Sequence, residues 1–251
     1  MVLRARLAAA LCGLTAAFAS PLLAEDALPK LGPNAVPLST DNAYLREAAA
    51  PDYWAFSPFA RAQFTSSACS IAAVTAAVNG LAGLPARAED TILSQPELLE
   101  ATGLPLWAEL SAEGGDGVTF DQLAEFTAAA LTAREMPYSV TTMHPSSDDA
   151  TTLDALRAAL AANEASADDA VLVYFNQGVV TGDWDGPHVS PIGAYDAGRD
   201  RVLILEVDQD WYTPYWTPVP VLLQAMLRPA PADQGVLEGQ TGGLVIIRPR
   251  G

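Results

Sequence analysis

From residue 69 onward, Ile71, Val74, Val78 and Leu81 recur at intervals of three and four, which predicts a helix over Cys69 to Leu84. Ser66 and Ser67 stand just before it, where an N-cap belongs. Shorter patterns of the same period predict helices over Asn42 to Ala49, Gln95 to Thr102, Thr119 to Leu131 and Leu153 to Asn163, the third opened by Gly117-Val118-Thr119 and Asp121. The second half of the chain changes period. Ala170 to Phe175, Val189 to Tyr195 and Arg201 to Val207 are runs rich in Val, Ile and Leu, separated by Gly, Asp and Pro, and they predict strands. Ala197-Gly198-Arg199-Asp200 reads as a tight hairpin turn, and Leu244 to Arg248 supplies a closing strand. Helices first and an antiparallel sheet second is an α+β pattern, with its layers segregated rather than alternating.

The ends of this pattern set the domain limits. Arg4 and Arg6 precede an apolar run from Leu7 to Phe18, with a small-residue exit at Ala24 before Glu25-Asp26. That predicts a secretory signal peptide over residues 1–24, with Ala19 as a second cleavage point. Cys12 leaves with it, and the bulky Leu11 before it argues against lipoprotein processing. No later stretch reaches the roughly 20 apolar residues of a spanning helix. A Pro-rich lead-in, Leu28 to Thr40, lies within an expected extended arm over residues 25–52. Residues 53–251 are expected to form one catalytic domain, because roughly 225 mature residues can bury a sizeable core.

The formal charge of −17 becomes −19 once Arg4 and Arg6 are removed. Such a surface repels phosphate backbones and anionic lipid, so nucleic acid and membrane are poor partners. One cysteine remains after export, so no intramolecular disulfide can form, and with only His144 and His188 a zinc cage is hard to build. No bound metal or other cofactor is inferred. In an oxidising compartment, expected here to be the periplasm, a lone thiol is either buried and inert or used as a nucleophile.

Position favours the nucleophile. The predicted helix puts Cys69 in its first turn, where the positive end of the macrodipole stabilises thiolate. A base is then required. His188 follows Gly186-Pro187 at the start of a strand, whereas His144 lies in the turn-rich "MHPSSDD". The next strand ends in Glu206, with Asp208 just beyond as an alternative acid to orient the imidazole. Gln63, six residues before the thiol, offers an amide donor that can form an oxyanion hole with the backbone N–H of Cys69. No Gly-x-Ser-x-Gly elbow accompanies Ser66, Ser67 or Ser70 to suggest a serine nucleophile. The order cysteine, distant histidine and acid, with a helix facing a sheet, is that of papain-like cysteine peptidases.

"HVSPIGAYDAGRDRVLILEV" with "YTPYWTPVPVLLQAM" resembles the histidine segment of the phytochelatin synthase family. "QFTSSACSIAAVTAAVNGL" is similar to that family's nucleophile segment, and "GVTFDQL" to the segment between, so the likeness spans about Tyr53 to Arg248. The resemblance implies a papain-like fold in which the nucleophile helix packs on a C-terminal antiparallel sheet. It also implies Cys69 as acylated nucleophile, His188 as base, Gln63 as oxyanion donor and Glu206 at the position of the family's aspartate. Ser70 stands where the family usually has glycine, and Gln209 where plant members carry an arginine associated with substrate binding. These two, with Tyr212 of the following aromatic cluster, are candidate substrate-binding residues.

The implied reaction is attack on the Cys–Gly bond of glutathione, giving a γ-glutamylcysteinyl thioester and free glycine. Plant members carry a Cys-rich C-terminal region without counterpart here, and bacterial members of this short form are mainly regarded as glutathione hydrolases, so the resemblance implies that hydrolysis exceeds phytochelatin synthesis. Metal ions would enter only as glutathione thiolates. The departures at Ser70, Glu206 and Gln209 keep two alternatives open: an enzyme for another small peptide or amide, and a non-catalytic binding protein of the same fold. The sequence leaves open whether the chain forms a homodimer.

Overall fold

The computed structural model describes residues 30–251; the predicted leader, both predicted cleavage points and Cys12 lie outside the described residues. In chain order the elements are β1 (Val36–Pro37), α1 (Ala43–Glu47), α2 (Pro51–Phe56), α3 (Cys69–Ala82), α4 (Gln95–Thr102), α5 (Pro105–Leu110), α6 (Phe120–Ala133), β2 (Tyr138–Met143), α7 (Ala150–Asn163) and β3 (Ala170–Asn176). They continue with α8 (Gln177–Thr181), β4 (Pro187–Asp196), β5 (Arg201–Ile204), β6 (Tyr215–Pro218), α9 (Val219–Leu227), a 3₁₀ turn over Ala232–Leu237, and β7 (Gly243–Pro249).

All seven strands join one antiparallel sheet in the order β1-β6-β5-β4-β3-β7-β2. Its central strands are buried on both sides. Leu172 and Tyr174 of β3 point into a core with α2, α3, α4 and α6, while Val171, Val173 and Phe175 join α7 and α9. This explains why β3 reads as an unbroken apolar run instead of an alternating one. The mixture of helices and antiparallel sheet is the α+β class the pattern predicts. Among the described residues no helix is long and apolar enough to cross a membrane.

Helix α3 lies deep in the first core, with Ser70 through Asn79 all buried. Four buried alanines on it, Ala72, Ala73, Ala76 and Ala77, let neighbouring backbone approach from several sides. Gly80 carries this further. A side chain there would strike the ring of Phe56, which seats α2 against α3.

Three differences from the predicted elements have local causes. The lead-in is not merely extended: Val36 and Pro37 pair with Trp216 and Tyr215 as an edge strand, where a proline's missing N–H goes unneeded. Helices α2, α5 and α9 open at or next to proline, which favours a helix's first turn but reads in sequence as a break. Strand β5 stops at Ile204, three residues before the predicted end at Val207. Residues 205–207 leave the β5–β6 ladder there, and Glu206 turns back toward β4.

Candidate active site

The loop before α3 fixes the thiol. Ser66 and Ser67 do not cap the helix: the N-cap is Ala68, with no side-chain bond. Ser66 Oγ donates to Glu113 at 2.7 Å and Ser67 Oγ to the Gly115 carbonyl at 2.6 Å, with Thr65 Oγ1 on the Ser111 carbonyl at 2.6 Å. These bonds sew residues 65–67 to the loop over residues 111–115. The first N–H groups of α3 are left without a side-chain cap, beside the half-buried Cys69. An uncapped helix start suits a developing negative charge.

His188 is the second residue of β4, opposite Phe175 on β3, whose ring meets the imidazole edge-on at 5.7 Å. Its Nε2 lies 2.6 Å from Glu206 Oε1 and 3.1 Å from Ser190 Oγ. Nδ1 is left for the Cys69 side. Glu206 is fully buried, and its Oε1 also accepts the Asp208 N–H at 2.7 Å while Oε2 accepts Gln177 Nε2 at 3.2 Å. The longer glutamate therefore spans the gap to the imidazole, and Asp208, the alternative acid, contributes its backbone N–H instead of its carboxylate.

Burial opposes charge on His188, but the Glu206 carboxylate and the neighbouring Cys69 sulfur outweigh it and push the imidazole up from 6.5 to about 10. Burial likewise works against an ionised Glu206. The His188 charge and the Asp208 and Val207 N–H groups overcome it and hold this carboxyl below its ordinary value. Both partners are thus ionised around neutral pH. Asp208 is moved the other way, its half-buried carboxyl raised first by burial.

Gln63 is tied to the acid's strand end by its backbone N–H, which donates to the Val207 carbonyl at 2.8 Å. Its Nε2 uses one hydrogen on the Ser66 carbonyl at 3.2 Å, and its side chain lines the cavity with the second available. Cys69, His188 and Gln63 face a cavity of about 490 Å³, and Asp208 and Tyr212 also line it. The Tyr212 hydroxyl donates to Asp183 at 2.9 Å.

Two proposed substrate contacts lie elsewhere. Ser70 is buried in the core and accepts the indole N–H of Trp107 at 3.0 Å. Gln209 donates to the carbonyls of Ala60 and Glu206, each at 3.0 Å, and so clamps two loops together. Neither lines the cavity. His144 is exposed and bonded to Thr241 at 2.8 Å, apart from the thiol. Sequence reasoning missed Gln177, Ser190, Tyr174 and Asp183. Asp183 had a signal, since "GDWDGPH" puts it five residues before His188; the others are ordinary strand and helix-start residues. Among the described residues no group of three or more His, Cys, Asp or Glu side chains is placed to hold a metal ion.

A thiol at a helix start, an imidazole and a buried carboxylate around one cleft define the class of cysteine-centred acyl-transfer sites. The chain belongs to the phytochelatin synthase family, whose sequence model matches residues 29–235. It is similar to glutathione gamma-glutamylcysteinyltransferase 3 of Lotus japonicus, with 54% identity over 39 residues, 16% of this chain and 8% of that protein. Glutathione gamma-glutamylcysteinyltransferase 1 of Arabidopsis thaliana is 51% identical over 39 residues, again 16% of this chain and 8% of the relative. These matches span under a tenth of the curated relatives' length.

Proposed function

We propose that this chain is an exported cysteine hydrolase and transpeptidase of papain-like fold, acting in the periplasm on the Cys–Gly bond of glutathione. The observation that carries the reading is Cys69 at an uncapped helix start beside a His188 that Glu206 keeps protonated. The Cys69 thiolate attacks the cysteinyl carbonyl, and the oxyanion is held by the Cys69 N–H and Gln63 Nε2. As the C–N bond breaks, His188 gives its proton to the glycine nitrogen and glycine leaves. Water then attacks the γ-glutamylcysteinyl thioester while His188 takes its proton. Collapse of that intermediate breaks the C–S bond, returning the Cys69 thiolate and freeing γ-glutamylcysteine.

Preference for water over a second glutathione is supported by Asp116, Asp183 and Asp208 in the cavity wall. Nearby carboxylates hold an acceptor amine as ammonium, which cannot attack. A second reading, an enzyme for a different small peptide or amide, is favoured by one specific feature. Gln209 is tied to backbone, and among the described residues lining the cavity there is no Lys or Arg to meet a substrate carboxylate.

Incubating the purified protein with glutathione decides between them. The expected products are glycine and γ-glutamylcysteine in equal amounts, with none from Cys69→Ser. Mainly longer γ-glutamylcysteinyl oligomers would overturn the preference for water. No glycine, from a protein whose Cys69 still alkylates fast, would reject glutathione in favour of another amide.

A further inference from the structure

Tyr174 is a buried polar side chain at the cavity that the mechanism above leaves unused. It is only 2% exposed, on β3 beside the β4 residue Val189, and its hydroxyl has no hydrogen-bond partner. Yet it lines the cavity of Cys69 and His188. A buried hydroxyl without a partner is destabilising, so an unmet one beside a nucleophile points to a ligand atom that completes it. Burial and the charge of the Cys69 sulfur both keep this phenol protonated.

Its surroundings narrow the ligand. Phe120 meets the phenol ring edge-on at 6.1 Å, and Val118, Val189 and Leu237 give apolar wall to the cavity that Asp116, Asp183 and Asp208 also line. The oxyanion is already served by the start of α3 and Gln63. The side chain on the carbon next to the attacked carbonyl is among the substrate groups held near the nucleophile.

We infer that Tyr174 is a specificity-determining residue whose hydroxyl hydrogen-bonds a small polar side chain on the residue whose carbonyl Cys69 attacks. In glutathione that group is the cysteinyl thiol, an identification that rests on the function proposed above. A phenol can donate to the sulfur or accept from the S–H, and the apolar walls suit a soft, weakly hydrated atom.

The test compares Tyr174→Phe with wild type on two peptides, glutathione and γ-glutamylalanylglycine, which lacks only the thiol. The variant is expected to lose about tenfold in kcat/KM on glutathione, the worth of one hydrogen bond, and to stay within about twofold on the alanyl peptide. Iodoacetamide alkylation of Cys69, which needs no such contact, should be unchanged. The melting temperature should hold or rise, because the lost hydroxyl has no partner in the free protein. Equal slowing on both peptides, or unchanged glutathione turnover, would overturn the assignment, as would a melting temperature lowered by several degrees. A wild type inert toward both peptides rejects glutathione, and with it the cysteinyl thiol as the partner of Tyr174.

Discussion

Glu206 reaches His188 Nε2 at 2.6 Å because β5 ends two residues before it, and three further donors, the Asp208 and Val207 N–H groups and Gln177 Nε2, aim at the same carboxylate. Replacing it with Gln keeps the shape and removes the charge that holds the imidazole protonated. Glu206→Gln should lower glycine release roughly 10²- to 10⁴-fold. The pH profile carries the sign. Wild-type His188 keeps its proton until about pH 10, so the alkaline limb of kcat/KM is expected near there, and it should move to lower pH in the variant. At this scale the thiol, the imidazole, the acid and Gln63 were legible, since outside the predicted leader the sequence offers one cysteine and two histidines. Tyr174, Gln177 and Ser190 were not. An aromatic, an amide and a hydroxyl in buried positions have no sequence mark until the strands are paired.

Among the elements, α3 was legible from its apolar spacing, but its cap was misread because Ser66 and Ser67 find closer partners in residues 113 and 115 than in the helix's own N–H groups. The short helices were hidden by their prolines. One of these, α2, carries Asp52, fully buried against Asn163 at the end of α7. Burial, reinforced by Glu164 and Asp169, pushes this carboxyl up from 3.8 to about 9. A raised acid contributes stability that is complete below about pH 4 and is lost as pH rises through about 9. Asp52→Asn removes that dependence. Its melting temperature should change less than wild type's between pH 5 and pH 9, and should exceed wild type's at the alkaline end. A parallel pair of curves would contradict the buried, protonated state of Asp52.

For the molecule as a whole, the α+β class followed from helical period giving way to apolar strand runs. The covering of both sheet faces did not follow, because Pro214, Pro218 and Pro220 before and within the first turn of α9 read as breaks. The acidic surface was legible in the composition, but not that Asp116, Asp183 and Asp208 would line the cavity. Each end of the chain contributes to the same cleft: the loop before α3 brings the thiol, the sheet brings the imidazole and carboxylate, and the Gln63 N–H bond to Val207 locks the two together. That convergence is most directly tested by the rate at which iodoacetamide alkylates the native protein at pH 6, read as modified Cys69 by mass spectrometry in wild type and His188→Ala. Rapid labelling of the wild type and much slower labelling of the variant are expected; labelling of Cys69 only after denaturation, or at the same rate in both proteins, would contradict an activated thiol.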